Sequence, residues 1–291
     1  MEAIMEGHAR LLITCTDRPG IVAAVSGFLT QYRGNITALD QHTTDPEQGC
    51  FFMRVAFRSP DVEPPGNWLR AEFRREVAEP FEMDWHLSFA AEHKRMAILV
   101  SRPDHALLEL LWRWSRGELP AELAGVISNH PDHREAVEAF GLPYRHIPVE
   151  QGAQEEAEAA MLDQLGEWGA ELVVLARYMR ILSPGFVAQY PSRIINIHHS
   201  FLPAFAGSDP YRQAFERGVK LIGATAHYAT SELDAGPVIE QDVIRVSHRD
   251  GVADLRERGR EVERSVLARA VRWHLEDRVA VWGNRTVVFG T

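Results

Sequence analysis

Apolar and polar positions along the chain follow two rhythms, and the change from one to the other falls near residue 90. Ala9–Thr16 reads as a strand and ends at Asp17-Arg18-Pro19-Gly20, a turn leading into an apolar helical repeat over Ile21–Tyr32. Gly34-Asn35 breaks that helix. Ile36–Thr44 and Cys50–Phe57 read as strands, with turn chemistry in Asp45-Pro46-Glu47-Gln48-Gly49 between them, so the pair predicts a hairpin. Trp68–Ala78 then predicts a helix and Met83–Phe89 a last strand. The order is βαββαβ, a ferredoxin-like sandwich over residues 1–90.

After a linker at Ala90–Lys94, apolar strands alternate with helices across a second domain, residues 95–291. Strands are predicted at Met96–Val100, Gly125–Ser128, Tyr144–Ile147 and Leu172–Ala176, with helices at Leu107–Ser115, His133–Phe140 and Glu155–Trp168 between them. Strands this uniformly apolar predict a mostly parallel sheet covered on both faces, a doubly wound α/β domain. Strands follow at Arg193–Ile197 and Leu221–Tyr228, then an amphipathic helix over Leu255–Leu275 and a terminal hairpin of Val279–Trp282 and Thr286–Phe289. Ligands in such sheets sit outside the carboxyl ends of the strands, so chemistry is sought in the residues that follow each strand.

Composition narrows the function. Hydrophobic residues are 45% and charged ones 25%, as in an ordinary soluble globular protein. The formal charge of -10 repels a phosphate backbone, which argues against a nucleic-acid partner. The basic stretch Arg256–Arg264 is interleaved with glutamates and reads as a solvated helix face, and Trp112 and Trp114 read as core or interface. No run of about 18 apolar residues suggests a membrane span, and the first residues lack the pattern of a signal peptide. Cys15 and Cys50 show no metal-ligand spacing, so neither a disulfide framework nor a metal site is expected, and a reducing cytoplasm fits best.

The chemistry concentrates between Leu175 and Gln241. In Asn196-x-His198 alternate residues of a strand point the same way, so both side chains reach one pocket at its carboxyl end. The polar loop ending at Asp234-Ala235-Gly236-Pro237 can bring a carboxylate against the imidazole. An amide that stabilises an oxyanion, an imidazole that moves protons and a carboxylate that orients it make a set for acyl transfer. No serine or cysteine sits in a nucleophile elbow, which leaves water as the simpler nucleophile. His199 reads as a second base, a pocket wall shaping the water site, or a structural histidine. For His227, packing and ligand contact are equally compatible with the pattern.

NIHHSFLPAF, followed by IGATAHYATSELDAGPVIEQ, resembles the formyltransferase-domain family that uses 10-formyltetrahydrofolate, and its second histidine resembles the deformylases within that family. The DRPG turn and the βαββαβ order before it resemble an ACT domain, which deformylases also carry. The resemblance implies hydrolysis of 10-formyltetrahydrofolate to formate and tetrahydrofolate, without a cofactor, with Asn196, His198 and Asp234 as the catalytic set. It also implies that Met179, Arg180, Ile181 and Leu182 read the pterin edge, and that the loop from His227 through Ala229 and Thr230 to Asp234 closes over the ring. For the ACT-like module it implies pairing of copies, hence a homo-oligomer, and a small amino-acid effector near Gly20 and Asn35. These two positions read equally well as helix punctuation. The formate would then supply purine synthesis, or the reaction would restore free tetrahydrofolate, within one-carbon metabolism.

Relatives that formylate a phosphorylated acceptor have a glycine-rich phosphate loop after the first strand. Here the turn is Ser101-Arg102-Pro103-Asp104-His105, which lacks glycine and carries an acidic residue, so no phosphate cradle is expected. Ala206 stands where many deformylases have lysine. The rival readings are transfer of the formyl group to an amine and a silent sensor of folate or an amino acid.

Overall fold

In the computed structural model, which describes residues 7–45, 49–60, 66–204 and 209–290, the first of two units is built on β1 (His8–Thr16). Its alternate residues Ala9, Leu11, Ile13 and Cys15 are buried, as expected of a strand with one face on a core. After α1 (Ile21–Gln31) come β2 (Asn35–Thr43) and β3 (Cys50–Arg58), then α2 (Asn67–Phe73), a π-helical turn (Arg74–Ala78), α3 (Glu79–Phe81) and β4 (Asp84–Phe89). The sheet order is β2-β3-β1-β4, antiparallel throughout. Val25, Phe28 and Leu29 of α1 and Leu69 and Phe73 of α2 pack on Leu11, Ile13, Val55 and Phe57 of one sheet face. This is the ferredoxin-like sandwich expected of the sequence.

The second unit starts at Lys94. Along the chain it contains β5 (Lys94–Val100), α4 (His105–Ser115), β6 (Ala121–Ser128), α5 (Arg134–Glu138), β7 (Tyr144–His146), α6 (Gln154–Glu167) and β8 (Leu172–Leu175). There follow α7 (Pro184–Gln189), β9 (Ile194–His198), α8 (Pro210–Glu216), β10 (Leu221–Tyr228), β11 (Val238–Arg245) and α9 (Val252–Leu275). The seven strands are ordered β11-β10-β9-β8-β5-β6-β7. β9, β8, β5, β6 and β7 are parallel, whereas β10 runs antiparallel to both its neighbours. From Met96 to Val100 every residue of β5 is fully buried, because the sheet is covered on both faces. Ala97 and Leu99 pack with Met161 and Leu165 of α6 and Phe186 of α7. Successive connections run one way from β5 through β6 to β7, then the other way to β8 and β9. The switch point lies between β5 and β8, where a crevice opens at the carboxyl ends.

Two features depart from the sequence reading. Residues 276–282 and those from 286 on, assigned there to the second domain, group with the first unit. Phe52 lies on the sheet face opposite α1 and α2, and Ala280 and Phe289 bury it. Arg54 fixes the segment by donating to the carbonyls of Asp277 and Glu276 at 2.9 and 3.0 Å. A hairpin cannot bury a core alone, and its local pattern does not say which sheet will cover it. In addition β11, α7 and α8 were not foreseen. β11 is an edge strand with only Ile239 and Val246 buried at and beside it, so it lacks a clear apolar alternation.

Candidate active site

β9 and β10 bring the site together by register. Asn196 lies opposite His227 and His198 opposite Thr225. The Asn196 amide donates to Nε2 of His227 at 3.2 Å, and Nδ1 of His227 contacts the Tyr228 carbonyl at 2.9 Å. Asp234 stands beyond β10 with φ 54, a left-handed conformation that aspartate and asparagine adopt more readily than most residues. Its Oδ2 is 3.2 Å from Nδ1 of His198 and its Oδ1 is 3.7 Å from Nε2 of His227. The loop can turn back this sharply because Gly236 has no side chain: a Cβ there would lie 1.9 Å from the Tyr228 carbonyl oxygen.

A carboxylate can only accept, so Nδ1 of His198 carries the proton and Nε2 presents its lone pair. That Nε2 is buried and has no hydrogen-bond partner among the described residues. Buried polar atoms are normally paired, and an exception next to a cavity marks an atom reserved for a ligand or water. Hydrogen bonding to His198, and secondarily the nearby His227, holds the Asp234 carboxyl well below the usual carboxylate range. Asp234 is therefore a charged acceptor at neutral pH.

The turn after β9 is fixed by Thr225, whose hydroxyl donates to the Ser200 carbonyl at 2.8 Å and accepts from Leu202 N at 3.0 Å. Gln241 of β11 donates to the Leu202 carbonyl at 3.0 Å and to the Thr225 hydroxyl at 2.9 Å. His199 is directed into the cavity wall by this turn, its ring 5.3 Å from that of His198 and 5.9 Å from that of Tyr211. Burial, then the charge of Arg177, pushes its pKa from 6.5 down to about 4. His199 thus lines the cavity as a neutral ring.

Because the folded pKa of His199 lies below the unfolded one, the unfolded chain binds the extra proton. The contribution of the buried neutral ring is complete above pH 6.5 and is lost as pH falls toward 4. Wild-type unfolding free energy should fall more steeply than that of His199→Gln over this window, by up to ~1.4 kcal/mol per pH unit. Parallel pH profiles from urea titrations of the two proteins would refute it.

The cavity at these strand ends has a volume of about 320 Å³. Asn196, His198, His199, His227 and Asp234 line it, with Met179, Arg180, Ile181 and Leu182 on one side and Ala229 and Thr230 on the other. Every site residue expected in the second domain is thus brought to one cavity. The segment 179–182 is an irregular strap after β8, and Met179 and Ile181 are exposed large apolar residues on it. The strap is tied at both ends by residues the sequence reading passed over. Ser101 accepts from Met179 N at 2.9 Å and donates to Asn129 at 2.8 Å. Buried Glu158 of α6 accepts from Ser183 N and from Gln154, both at 2.9 Å, and from the Ser183 hydroxyl. Gln154 also donates to the Ile181 carbonyl at 2.8 Å. No sequence signal marked Glu158, one of several acidic residues on a mostly polar helix.

The stretch 256–264 is a solvated face only in part. Glu263 is 1% exposed, with His105 Nε2 at 2.8 Å, the Tyr211 hydroxyl at 2.5 Å and Arg177 Nε at 3.4 Å. Gly259, one turn earlier, makes room for that contact: a Cβ there would lie 2.0 Å from the Tyr211 hydroxyl oxygen. Charge interleaving along a helix could not reveal this, because the partners come from α4, α8 and the turn after β8.

Gly20 and Asn35 lie in the first unit at opposite ends of α1. Gly20 has φ 99 and precedes the first turn, where its carbonyl accepts from Ala24 N at 2.8 Å; Asn35 is exposed and opens β2 opposite Arg58. The 11 residues of α1 hold them about 16 Å apart, so one chain does not bring them together. Ala206 lies outside the described residues. Among the described residues no helix is long and apolar enough to cross a membrane.

Fold and site together define an α/β protein equipped for acyl chemistry at the carboxyl ends of parallel strands. Residues 94–271 match the family model "Formyl transferase" and residues 9–65 the model "ACT domain". The formyltetrahydrofolate deformylase of Bacillus subtilis is 53% identical, over 98% of this chain and 94% of that protein. That of Mycobacterium bovis is 54% identical, over 96% and 90%. A crystal structure of the formyltetrahydrofolate deformylase from Pseudomonas syringae pv. tomato superposes with a TM-score of 0.94 at 49% identity, covering 99% of this chain and 97% of that one. The chain belongs to the formyl transferase family, and within it to the formyltetrahydrofolate deformylases.

Proposed function

We propose that this enzyme hydrolyses 10-formyltetrahydrofolate by a water held between His198 and the formyl carbon, with no cofactor. The observation that carries the reading is the His198 ring, with Asp234 on Nδ1 and a buried, unpartnered Nε2 at the cavity. In this reading Nε2 takes a proton as the water oxygen attacks, and Asp234 steadies the imidazolium that results. The oxyanion accepts from the Asn196 amide, whose second N–H is left over by the bond to His227. Imidazolium then protonates N10, the C–N10 bond breaks, and tetrahydrofolate and formic acid separate, the latter ionising to formate. The pterin lies along the strap 179–182 beneath the loop at Ala229 and Thr230.

The test is formate release from 10-formyltetrahydrofolate by the full chain without an added acceptor. Stoichiometric formate and tetrahydrofolate, lost in His198→Ala, are the expected outcome. Turnover only on adding an amine would replace hydrolysis by transfer, and binding without turnover would make the protein a sensor. The wider reading is of a cytoplasmic homo-oligomer that balances the one-carbon pool and supplies formate for purine synthesis. Its ACT domain would take a small amino-acid effector near Gly20 of one copy and Asn35 of another.

A further inference from the structure

Behind the catalytic cavity lies a second one of about 170 Å³. Arg177 and His199 line both. His105, Tyr211, Arg256 and Arg260 contribute further walls. The volume far exceeds the ~10–15 Å³ that holds one water and falls short of the ~300 Å³ at which sites for drug-sized ligands begin. It suits a small ion.

The charges specify its sign. Arg256 is paired with Asp209 at 3.0 Å, and Arg177 with Glu263 at 3.4 Å. Arg260 has no ion-pair partner among the described residues, which leaves one guanidinium in excess. Arg177 Nε is buried, and its approach to Glu263 does not make a hydrogen bond. An unused buried donor and an unpaired cation flank the same space, and His199, neutral near pH 7, adds a ring N–H without further charge. This composition fits a monoanion with acceptor oxygens.

Hydrolysis of a formamide produces one such anion beside the shared wall. The water oxygen stays on the formyl carbon, N10 leaves with a proton, and formic acid loses its own. Asp234, on the catalytic side, repels the resulting charge, while Arg177 and Arg260 attract it. We propose that the second cavity is a formate-binding exit site, reached past His199 and anchored by Arg260 and Arg177. The proposal rests on the hydrolytic reading. It also means that formate can leave while the folate still fills the first cavity, so product inhibition by formate is noncompetitive with the folate substrate.

The experiment titrates ¹³C-formate into the full chain, following its NMR line broadening at ionic strength held constant with chloride. Arg260→Gln should weaken formate binding, and raise the formate inhibition constant, about five- to tenfold, as one charge-assisted bond at a partly exposed site is lost. Arg260→Lys should keep most of the affinity. In both variants kcat/KM for the folate should change by less than about twofold, because Arg260 lies outside the catalytic cavity. Equal formate affinity in Arg260→Gln, purely competitive inhibition, or displacement by chloride at similar concentration would each overturn the site. Formate release is recorded on the same samples. Its absence counts against hydrolysis, whereas release with binding indifferent to Arg260 counts against the exit site alone.

Discussion

Asp234→Asn should lower kcat by roughly 10³–10⁴-fold while the dissociation constant for the folate moves only a few-fold. Asparagine keeps the size of the side chain and tolerates the left-handed backbone at φ 54, so the loop is retained. What changes is the partner of the imidazole. Oδ2 sits 3.2 Å from Nδ1 of His198. If the asparagine NH2 occupies that position, it donates where the carboxylate accepted, and the proton of the ring moves to Nε2. The nitrogen facing the cavity then carries a hydrogen and no lone pair to take a proton from water. If the amide oxygen occupies it instead, the tautomer survives but the imidazolium has lost its counter-charge. Either way the transition state suffers and the cavity walls do not. In His198→Ala the same Asp234 change should cost little more, since a carboxylate with no imidazole to orient has no further part in the proton transfer. Stopped assays of formate release, with folate binding followed by fluorescence, separate the two quantities. Retention of more than about a tenth of wild-type kcat, or independent multiplication of the two losses, would remove Asp234 from the mechanism.

Much of this site was legible because its geometry is local. Two positions apart on a strand, Asn196 and His198 had to share a face. The motif around Asp234 had to follow a neighbouring strand if the carboxylate was to return to that face. The apolar runs of β5 and β8 likewise announced a parallel sheet, since only burial on both faces tolerates them. What escaped notice depended on partners distant in sequence. β11 is polar because it is an edge, and α7 and α8 are too short to impose a period. Glu158 and Glu263 looked like solvated charges on helices, yet Glu158 fixes the strap 179–182 and Glu263 gathers His105, Arg177 and Tyr211. The terminal hairpin was assigned to the second domain for the same reason: its local pattern defines the element, whereas its grouping with the first unit depends on Phe52 packing with Ala280 and Phe289.

Glu263 offers the largest expected effect on stability. Burial alone would raise its pKa, but the hydrogen bond from His105 and the charge of Arg177 outweigh that, and its carboxyl lies below the ordinary value of 4.5. With the folded pKa the lower, its contribution is complete at neutral pH and disappears only as acid protonates it. Glu263→Leu removes the anion from a site 1% exposed and strips Arg177 of its counter-charge in the interior, with the hydroxyl of Tyr211 and a ring nitrogen of His105 deprived of their acceptor. Breaking a buried pair from one side costs about 3–5 kcal/mol, far more than the pair contributes over a well-packed apolar replacement. The measurement is the urea midpoint at constant m-value, compared with Tyr211→Phe and with the double variant. Tyr211→Phe alone should cost about 1–3 kcal/mol, since it strips one bond from a buried carboxylate. In the Glu263→Leu background it should be close to neutral, because phenylalanine no longer abandons an acceptor and removes an orphaned hydroxyl. A loss below about 1 kcal/mol for Glu263→Leu, or full additivity with Tyr211→Phe, would mean that Glu263 is not the hub of that cluster. Because Arg177 also walls the catalytic cavity, the same substitution should loosen His199 against it, so a fall in kcat with less cooperative unfolding would trace the second cavity's framework into the site of reaction.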